Sequence, residues 1–175
     1  LAFANTPVQK VQLPSTLTTI RYGAFQNCTA LKQITLPESM TFIEGGAFQN
    51  CSVLSSILVP QNVTYLGASA FSGCTSLTSA TLPQAITRIS SGLFENCSSL
   101  DMVVSGNGLE TIGSDAFAGC DSLTGVEVPD SVTEIGDSAF GDNANLTLWC
   151  SENGTAWQYA ETNGIMAEER IRRAV

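Results

Sequence analysis

The feature that most restricts the fold of this chain is a pattern that recurs every 23 residues. A single unit of this length cannot bury its apolar positions alone, whereas stacked copies bury them against one another. The spacing therefore predicts a solenoid in which each repeat forms one coil. The repeat is marked by proline at Pro14, Pro37, Pro60, Pro83 and Pro129, by phenylalanine at Phe25, Phe48, Phe71, Phe94, Phe117 and Phe140, by cysteine at Cys28, Cys51, Cys74, Cys97 and Cys120, and by leucine at Leu31, Leu54, Leu77, Leu100, Leu123 and Leu146.

Two parts of each repeat are predicted to be extended. Ile34 and Leu36 lie two positions apart, which is the period of a strand, and Pro37 ends that strand because proline has no ladder donor. Equivalent strands of successive coils would lie about 4.8 Å apart in a parallel sheet. A second short extended segment is predicted around the recurring threonine, as at Thr41. Small residues around Gly45 then predict a tight turn into the Ala-Phe element, which has room for one helical turn.

The two ends of the chain differ from the repeat, as the ends of a solenoid do when they shield its core from water. We interpret residues 1–13 as a partial repeat, about 14–150 as the repeats and 151–165 as a C-terminal cap. The cap contains a short amphipathic helix between Gly154 and Gly164. Residues 1–165 are thus predicted to form a single solenoid domain, and residues 166–175 a tail.

The composition narrows the possible functions. Lys and Arg number 7 against 16 Asp and Glu, so the formal net charge is −9 and a nucleic-acid partner is not expected. The chain has 0 histidines, and so lacks the most usual general base near neutral pH and the commonest metal ligand. No stretch approaches the roughly 18 to 20 apolar residues that span a bilayer, so we expect no membrane insertion.

The cysteines are predicted to be buried free thiols, because they lie between core positions where a small apolar residue is needed. A disulfide or metal site is the alternative, but the sequence has no C-x-x-C pair. Cys150 stands outside the ladder and is the thiol to check for reactivity. No nucleophile–base pair, phosphate loop or dinucleotide fingerprint can be assembled. We therefore predict no catalytic residue, no metal site, no cofactor and no enzymatic activity.

Charge is distributed unevenly along the chain. Residues 95–169 contain 14 acidic residues and no Lys or Arg, whereas residues 1–94 contain four basic and two acidic ones. A calcium site is conceivable, but the acids are scattered over different repeat positions and form no calcium-loop motif. The other interpretation is that the charge serves solubility and the long-range steering of a basic partner.

The repeat Leu-x-x-Val-x-Val-Pro-x-x-Val-x-x-Ile-Gly-x-x-Ala-Phe at residues 123–140 resembles the leucine-rich repeat of the BspA-like bacterial surface proteins. The resemblance covers about residues 1–165, and the segment 154–165 is similar to the usual end of that family. It implies an α/β leucine-rich repeat solenoid of mostly short parallel strands with one-turn helices and a C-terminal helical cap. It also implies a secreted or cell-surface location. The chain begins at Leu1 without a leader, so we expect that a signal peptide has been removed or that this is a piece of a longer protein.

Leucine-rich arrays mostly bind through the variable residues of their parallel sheet, so the resemblance implies a protein-interaction or adhesion module. The partner is expected to be a host or neighbouring-cell protein or glycan. A structural spacer or targeting arm of a larger surface protein is the alternative, and an enzyme using carboxylates alone is a distant third. The candidate binding residues on the strand face are Lys32, Gln33, Thr35, Leu58, Asp101, Met102, Val104 and Glu127.

Overall fold

The computed structural model describes residues 1–170; residues 171–175, which carry Arg172 and Arg173 of the predicted tail, lie outside the described residues. The chain winds into a parallel-strand solenoid with one coil per repeat, as the 23-residue spacing predicts. In chain order the elements are β1 (Thr19–Ile20), β2 (Phe42–Ile43), β3 (Tyr65–Leu66), β4 (Ser79–Thr81), β5 (Arg88–Ile89), β6 (Met102–Val104), β7 (Thr111–Ile112), β8 (Gly125–Glu127), β9 (Glu134–Ile135), β10 (Thr147–Cys150), α1 (Thr155–Asn163) and β11 (Met166–Glu169).

Each full coil contributes one extended segment to each of two stacks, and all strand pairs are parallel. The front sheet comprises β4 paired with β6, and β8, β10 and β11 paired in the order β11-β10-β8. The side sheet comprises the triplets β1-β2-β3 and β5-β7-β9. Paired residues in the regular coils are one repeat apart, such as Ser79 opposite Met102, so equivalent side chains form rows along the solenoid.

Residues 33–36 and 56–59 correct the strand prediction, because within the described residues they form no ladder with a neighbouring coil. Their side chains nevertheless alternate as predicted, since Ile34 and Leu36 are buried whereas Gln33 and Thr35 are exposed. The period of two reports which side chains the core buries. It does not report whether two backbones come within hydrogen-bonding distance. These segments are therefore held by their buried side chains.

The Ala-Phe element is a pair of consecutive turns in place of the predicted one-turn helix. Its N–H groups alternate in direction: that of Gln26 donates to Gly23 in the same turn (3.1 Å), and that of Phe25 donates to Ala47 in the next coil (2.8 Å). Gly23 and Asn27 are left-handed, with φ of 58° and 59°. A left-handed residue cannot continue an α-helix, and an N–H bonded to the next coil is unavailable to a carbonyl four residues earlier. The same two positions are left-handed at Gly46, Asn50, Ser69, Gly73, Gly92, Asn96, Asp115, Gly119, Ser138 and Asp142.

The phenylalanines of these turns stack into a continuous column inside the solenoid. The ring centroids of Phe25 and Phe48 lie 5.3 Å apart with planes at 2°. Every other adjacent pair from Phe3 to Phe140 lies 5.2 to 5.7 Å apart at angles up to 16°. Tyr159 ends the column edge-on, 6.0 Å from Phe140, and its hydroxyl accepts the Phe140 N–H at 3.5 Å. The cap thus continues the column with an aromatic ring.

A row of thiols runs beside the phenyl column. The Sγ of Cys51 donates to the carbonyl of Phe25 in the preceding coil at 3.1 Å, and four other cysteines repeat this contact. Asn143 occupies the next position of the row, and its Nδ2 donates to Phe117 at 2.8 Å. The Oδ1 of Asn143 is buried without a hydrogen-bond partner among the described residues. An amide therefore replaces the thiol's donor but adds an unsatisfied acceptor.

The cap helix α1 forms where the sequence predicts it. It follows Gly154 and ends at Gly164, which is left-handed with φ of 67° and stops the helix as glycine commonly does. Ala156 and Ala160 are its buried residues, so small side chains allow the helix to approach the last coil closely. This is the one helix among residues 1–170, and it connects the strands β10 and β11.

Residues Met166–Glu169, which sequence analysis placed in the tail, form β11 beside β10. The Arg170 N–H extends this pairing by donating to the Cys150 carbonyl at 3.1 Å. The sequence did not predict this strand, because it is short and contains none of the β-branched residues that are typical of strands. Backbone pairing with β10 stabilises it, since β11 covers an edge that would otherwise lack partners.

We expect Phe117→Ala to lower the free energy of unfolding by about 3–5 kcal/mol, because it opens a cavity in a fully packed column. Phe117 is 0% exposed and has a stacked ring on both sides. Urea denaturation of both proteins measures the difference. Phe3→Ala is the matched control and should cost much less, since Phe3 is 39% exposed and stacks on one side. A loss below about 1 kcal/mol for Phe117→Ala would contradict the role of the column.

We expect Asn143→Cys to raise the free energy of unfolding by about 1 kcal/mol, because it removes a buried acceptor that lacks a partner. A thiol at this position keeps a donor for the Phe117 carbonyl, as in the other coils. Thermal unfolding would measure the gain. The reciprocal variant Cys120→Asn should destabilise the protein, since it places the same amide in an interior coil. Lower stability of Asn143→Cys would show that Oδ1 is satisfied by water.

Candidate functional site

The outward side chains of the front sheet form two rows along the solenoid. In β4 and β6, and in β8, β10 and β11, the strand registers place equivalent residues next to each other. The 23-residue repeat extends the rows to residues 33–35 and 56–58, which form no ladder, and the core beneath is apolar. We call the side chains of these two rows the front face. The first row contains Gln33, Ser56, Ser79, Met102, Gly125, Thr147 and Met166, and the second contains Thr35, Leu58, Thr81, Val104, Glu127, Trp149 and Glu168.

The predicted binding residues are all exposed, but the structure gathers only some of them. Met102 and Val104 lie on one strand, 52% and 45% exposed, and Glu127 lies in the next coil. Leu58 is 74% exposed and lies two coils before Val104 in its row. The rest of the predicted set is Lys32, Gln33, Thr35 and Asp101, all exposed and spread along the array. Their role in binding stays a prediction.

Trp149 is a front-face residue that the sequence prediction omitted. It lies on β10 directly opposite Glu127 on one side and Glu168 on the other. Its indole packs on Gly125, because a Cβ at that glycine would overlap three ring atoms. Trp149 is 42% exposed while Leu148 beside it is buried. This alternation could have revealed it, but its coil is one residue short, so counting by 23 from the buried Val126 arrives at Trp149 and assigns it to the inward row.

An ion pair borders this part of the front face. Arg170 Nη1 lies 3.3 Å from Glu127 Oε1, and 61% of the Glu127 side chain is exposed. A depression of about 130 Å³ lies beside the pair and is lined also by Val104, Ser105 and Pro129. Sequence analysis placed Arg170 in the tail, and β11 is what carries it to the front face.

The side sheet carries a second group of exposed aromatic residues that the sequence prediction did not include. Phe42 and Tyr65 face outward on β2 and β3, with ring centroids 6.4 Å apart, and Tyr22, which follows β1, is also exposed. Each strand residue precedes a buried aliphatic, Ile43 or Leu66, and this alternation was their signal. The side sheet is therefore a competing surface for a partner.

The described thiols are buried and none is paired in a disulfide. Desolvation by burial raises the pKa of Cys51 and Cys120 to about 12 and raises the pKa of Cys74 as well. Cys150, the thiol singled out for possible reactivity, is 2% exposed, and burial also raises its pKa. These groups remain protonated near neutral pH and are poor nucleophiles there.

The remaining polar side chains form no compact reactive group. Among residues 1–170, no three His, Cys, Asp or Glu side chains lie close enough together to hold a metal ion. The acidic residues project from different rows, as their positions in the repeat predict. In the same part of the chain, no helix has the length and apolar character needed to cross a membrane.

These features define a leucine-rich repeat solenoid with an exposed sheet. A family model described as a BspA type leucine rich repeat region, in 6 copies, matches residues 1–109 and 87–153. The chain belongs to this family, as the sequence resemblance indicated. A search of curated proteins found no match.

Solved structures of similar proteins share the fold. A leucine rich cell surface protein from Faecalibacterium prausnitzii is 36% identical with a TM-score of 0.77, over 83% of this chain and 40% of that one. A leucine-rich repeat protein from Bacteroides ovatus is 27% identical with a TM-score of 0.63, over 83% of this chain and 45% of that one. The T. pallidum leucine rich repeat protein is 26% identical with a TM-score of 0.69, over 96% of this chain and 76% of that one. This chain thus spans less than half of the first two relatives.

We expect the free energy of unfolding to fall as the pH rises above about 9. Below that pH the thiols are protonated in both states, since the unfolded value is 9.0. Between 9 and about 12 they ionise in the unfolded chain and stay protonated in the fold, so each such thiol lowers stability by up to about 1.4 kcal/mol per pH unit. Urea denaturation under reducing conditions at pH 7 to 11 measures the slope. Cys74→Ala should make it shallower, and constant stability across this range would contradict the burial of the thiols.

Proposed function

We propose that this chain is a non-catalytic binding module of a secreted or cell-surface protein, and that it holds a macromolecular partner on its front face. The observation that carries the proposal is that Met102 and Val104 are exposed on one strand and Trp149 is exposed two coils further on, on a face whose other side chains are mostly small or polar. Exposed apolar groups with polar surroundings mark interaction sites, and aromatic and Met side chains are enriched in them.

The shape of the surface supports a macromolecule as the partner. The front face is a sheet surface with rows of side chains, and the depression beside Glu127 holds only about 130 Å³. Small-molecule sites are usually deep clefts of about 300 to 1,000 Å³. An extended protein segment or a glycan chain, by contrast, can contact several coils along one row.

The chemistry of the described side chains supports a role without catalysis. The thiols are buried with raised pKa values, and the carboxylates are dispersed over separate rows. A hydrolase that uses two carboxylates needs them to face each other across a cleft. On the front face, acidic side chains neighbour each other only across an open sheet, and no cleft lies between them.

The surface location is supported by the family and by a relative. BspA-type repeats match most of this chain, and the similar protein from F. prausnitzii is described as a cell surface protein. We extend this location to the present chain and propose adhesion to a host or neighbouring bacterial cell as its use.

A structural spacer within a longer surface protein is the second candidate. The observation that favours it is the front face of the earlier coils, where Gln33, Thr35, Ser56 and Ser79 are small or polar and Leu58 stands alone. Such a surface is suited to contact with water. A spacer would bind none of the components tested below.

We expect the parent protein to bind immobilised extracellular-matrix proteins or mucins, and the double variant Met102→Glu, Val104→Glu to lose this binding. Buried charge at the centre of an interface carries a desolvation cost that the apolar side chains avoid. Surface plasmon resonance measures binding, and an unchanged melting temperature shows that the fold is intact.

The charge-matched control is Phe42→Glu, Tyr65→Glu on the side sheet, which adds the same two charges away from the front face. It should bind as the parent does. If the control loses binding and the front-face variant keeps it, the partner lies on the side sheet. If the parent binds no matrix or mucin component, the result favours the spacer.

A further inference from the structure

We propose that Trp149 and the carboxylates in register with it bind an arginine side chain of an extended basic segment in the partner. This rests on the proposed function, because it specifies the chemistry that the front face recognises. The site consists of the Trp149 indole, Glu127 and Glu168, with Gly125 beneath the ring.

Trp149 presents a supported aromatic surface. The indole lies on Gly125, where a side chain would displace it, and the residue remains 42% exposed. Support from the backbone below limits the orientations of the ring before any partner arrives. A guanidinium stacks on such a face through its attraction to the π electrons, and tryptophan is the aromatic residue that binds cations best.

Two glutamates flank the Trp149 position in the sheet. Glu127 on β8 and Glu168 on β11 are the direct neighbours of Trp149 across the strands, each about 4.8 Å away along the sheet. Both are exposed. A guanidinium has five donors, so it can stack on a ring and still donate to a neighbouring carboxylate.

The ion pair at the edge of the site shows that a guanidinium reaches Glu127. Arg170 approaches Glu127 at 3.3 Å from the end of β11. It leaves Glu168 without a basic partner among residues 1–170. Because an exposed ion pair is weak in water, a second guanidinium from a partner can also compete for Glu127.

The charge of this half of the molecule favours a cation over a neutral or anionic ligand. Residues 95–175 carry 14 acids against three bases, Arg170, Arg172 and Arg173, so their net field attracts basic segments over distances of about 8 Å in physiological salt. The carboxylates are too dispersed within residues 1–170 to enclose a metal ion. A guanidinium is large and delocalised, and it fits one ring with carboxylates on separate strands.

The test uses the acetylated and amidated peptide (Arg-Ser)4 and its citrulline counterpart, which has the same shape without charge. A Trp157→Phe background leaves Trp149 as the one tryptophan, so its fluorescence reports binding directly. We expect the arginine peptide to change this fluorescence, and the citrulline peptide to have no effect. Calorimetry in the parent protein gives the affinity, and added salt should weaken it.

Four variants separate a local site from diffuse attraction. Trp149→Ala should weaken binding about 3- to 30-fold, the range of cation–π contacts from exposed to desolvated ones, and Trp149→Phe should weaken it less. Gly125→Ala keeps the tryptophan but displaces its ring, so it should weaken binding as well. Phe42→Ala, which removes a similarly exposed ring from the side sheet, should leave binding unchanged. Calorimetric affinities are compared, and thermal unfolding shows that each variant is folded.

The charge contribution is tested by a matched pair. Glu168→Gln should weaken binding several-fold and reduce its salt dependence, whereas Glu134→Gln removes an exposed acid from the side sheet and should have a smaller effect. Equal effects of the two variants would show that net charge alone attracts the peptide, and the site at Trp149 would be rejected.

Three further results would overturn the proposal. The arginine peptide fails to bind at low salt, it binds Trp149→Ala as well as the parent, or a neutral N-acetylglucosamine hexamer binds in a Trp149-dependent way and the arginine peptide does not. The last result would assign the ring to a glycan. None of them rejects the front face as a binding surface, because the substitutions at Met102 and Val104 test that face with matrix and mucin components.

Discussion

The alternation of backbone hydrogen bonds in the Ala-Phe turn is the constraint on which the solenoid depends. One N–H closes the turn and the next bonds to the following coil, so the same few residues shape each coil and join it to its neighbour. This arrangement holds each phenyl ring over the next at 5.2 to 5.7 Å. It also places a thiol beside a carbonyl of the coil before. Each row therefore tolerates few residue types, because a change alters contacts on both sides.

Three departures from the repeat lie at the C-terminal end of the array, close to the candidate site. Asn143 replaces a thiol, the coil that contains Trp149 is shorter, and β11 adds a strand that no repeat predicts. The last coil has no successor, so its contacts are made by the cap instead. Tyr159 takes the place of the next phenyl ring, and β11 takes the place of the next strand. In this less regular part of the array, a bulky aromatic residue and an ion pair lie on the front face.

The acidic excess and the apolar site act over different distances. The carboxylates project into water from separate rows, so salt screens each of them within about 8 Å, and together they keep the field close to the surface of the C-terminal half negative. Such a field raises the rate at which a basic partner arrives and selects against acidic ones. Affinity then depends on the few groups that exclude water, among which Trp149 has the largest ring. Long-range attraction of a partner and short-range recognition of it therefore depend on different side chains.

The sequence by itself determined the coil length, the buried rows and the helix of the cap, because these follow from residues that recur at a fixed spacing or from the glycines that bound the helix. It also placed Met102, Val104 and Glu127 on an exposed face, since alternation reports which side of a strand meets the core. Only the tertiary structure decided which extended segments pair, that the Ala-Phe element is a double turn, and that β11 brings Arg170 to Glu127. It alone placed the Trp149 indole on Gly125. These features depend on distances between coils, and a local pattern carries no information about how closely two backbones approach.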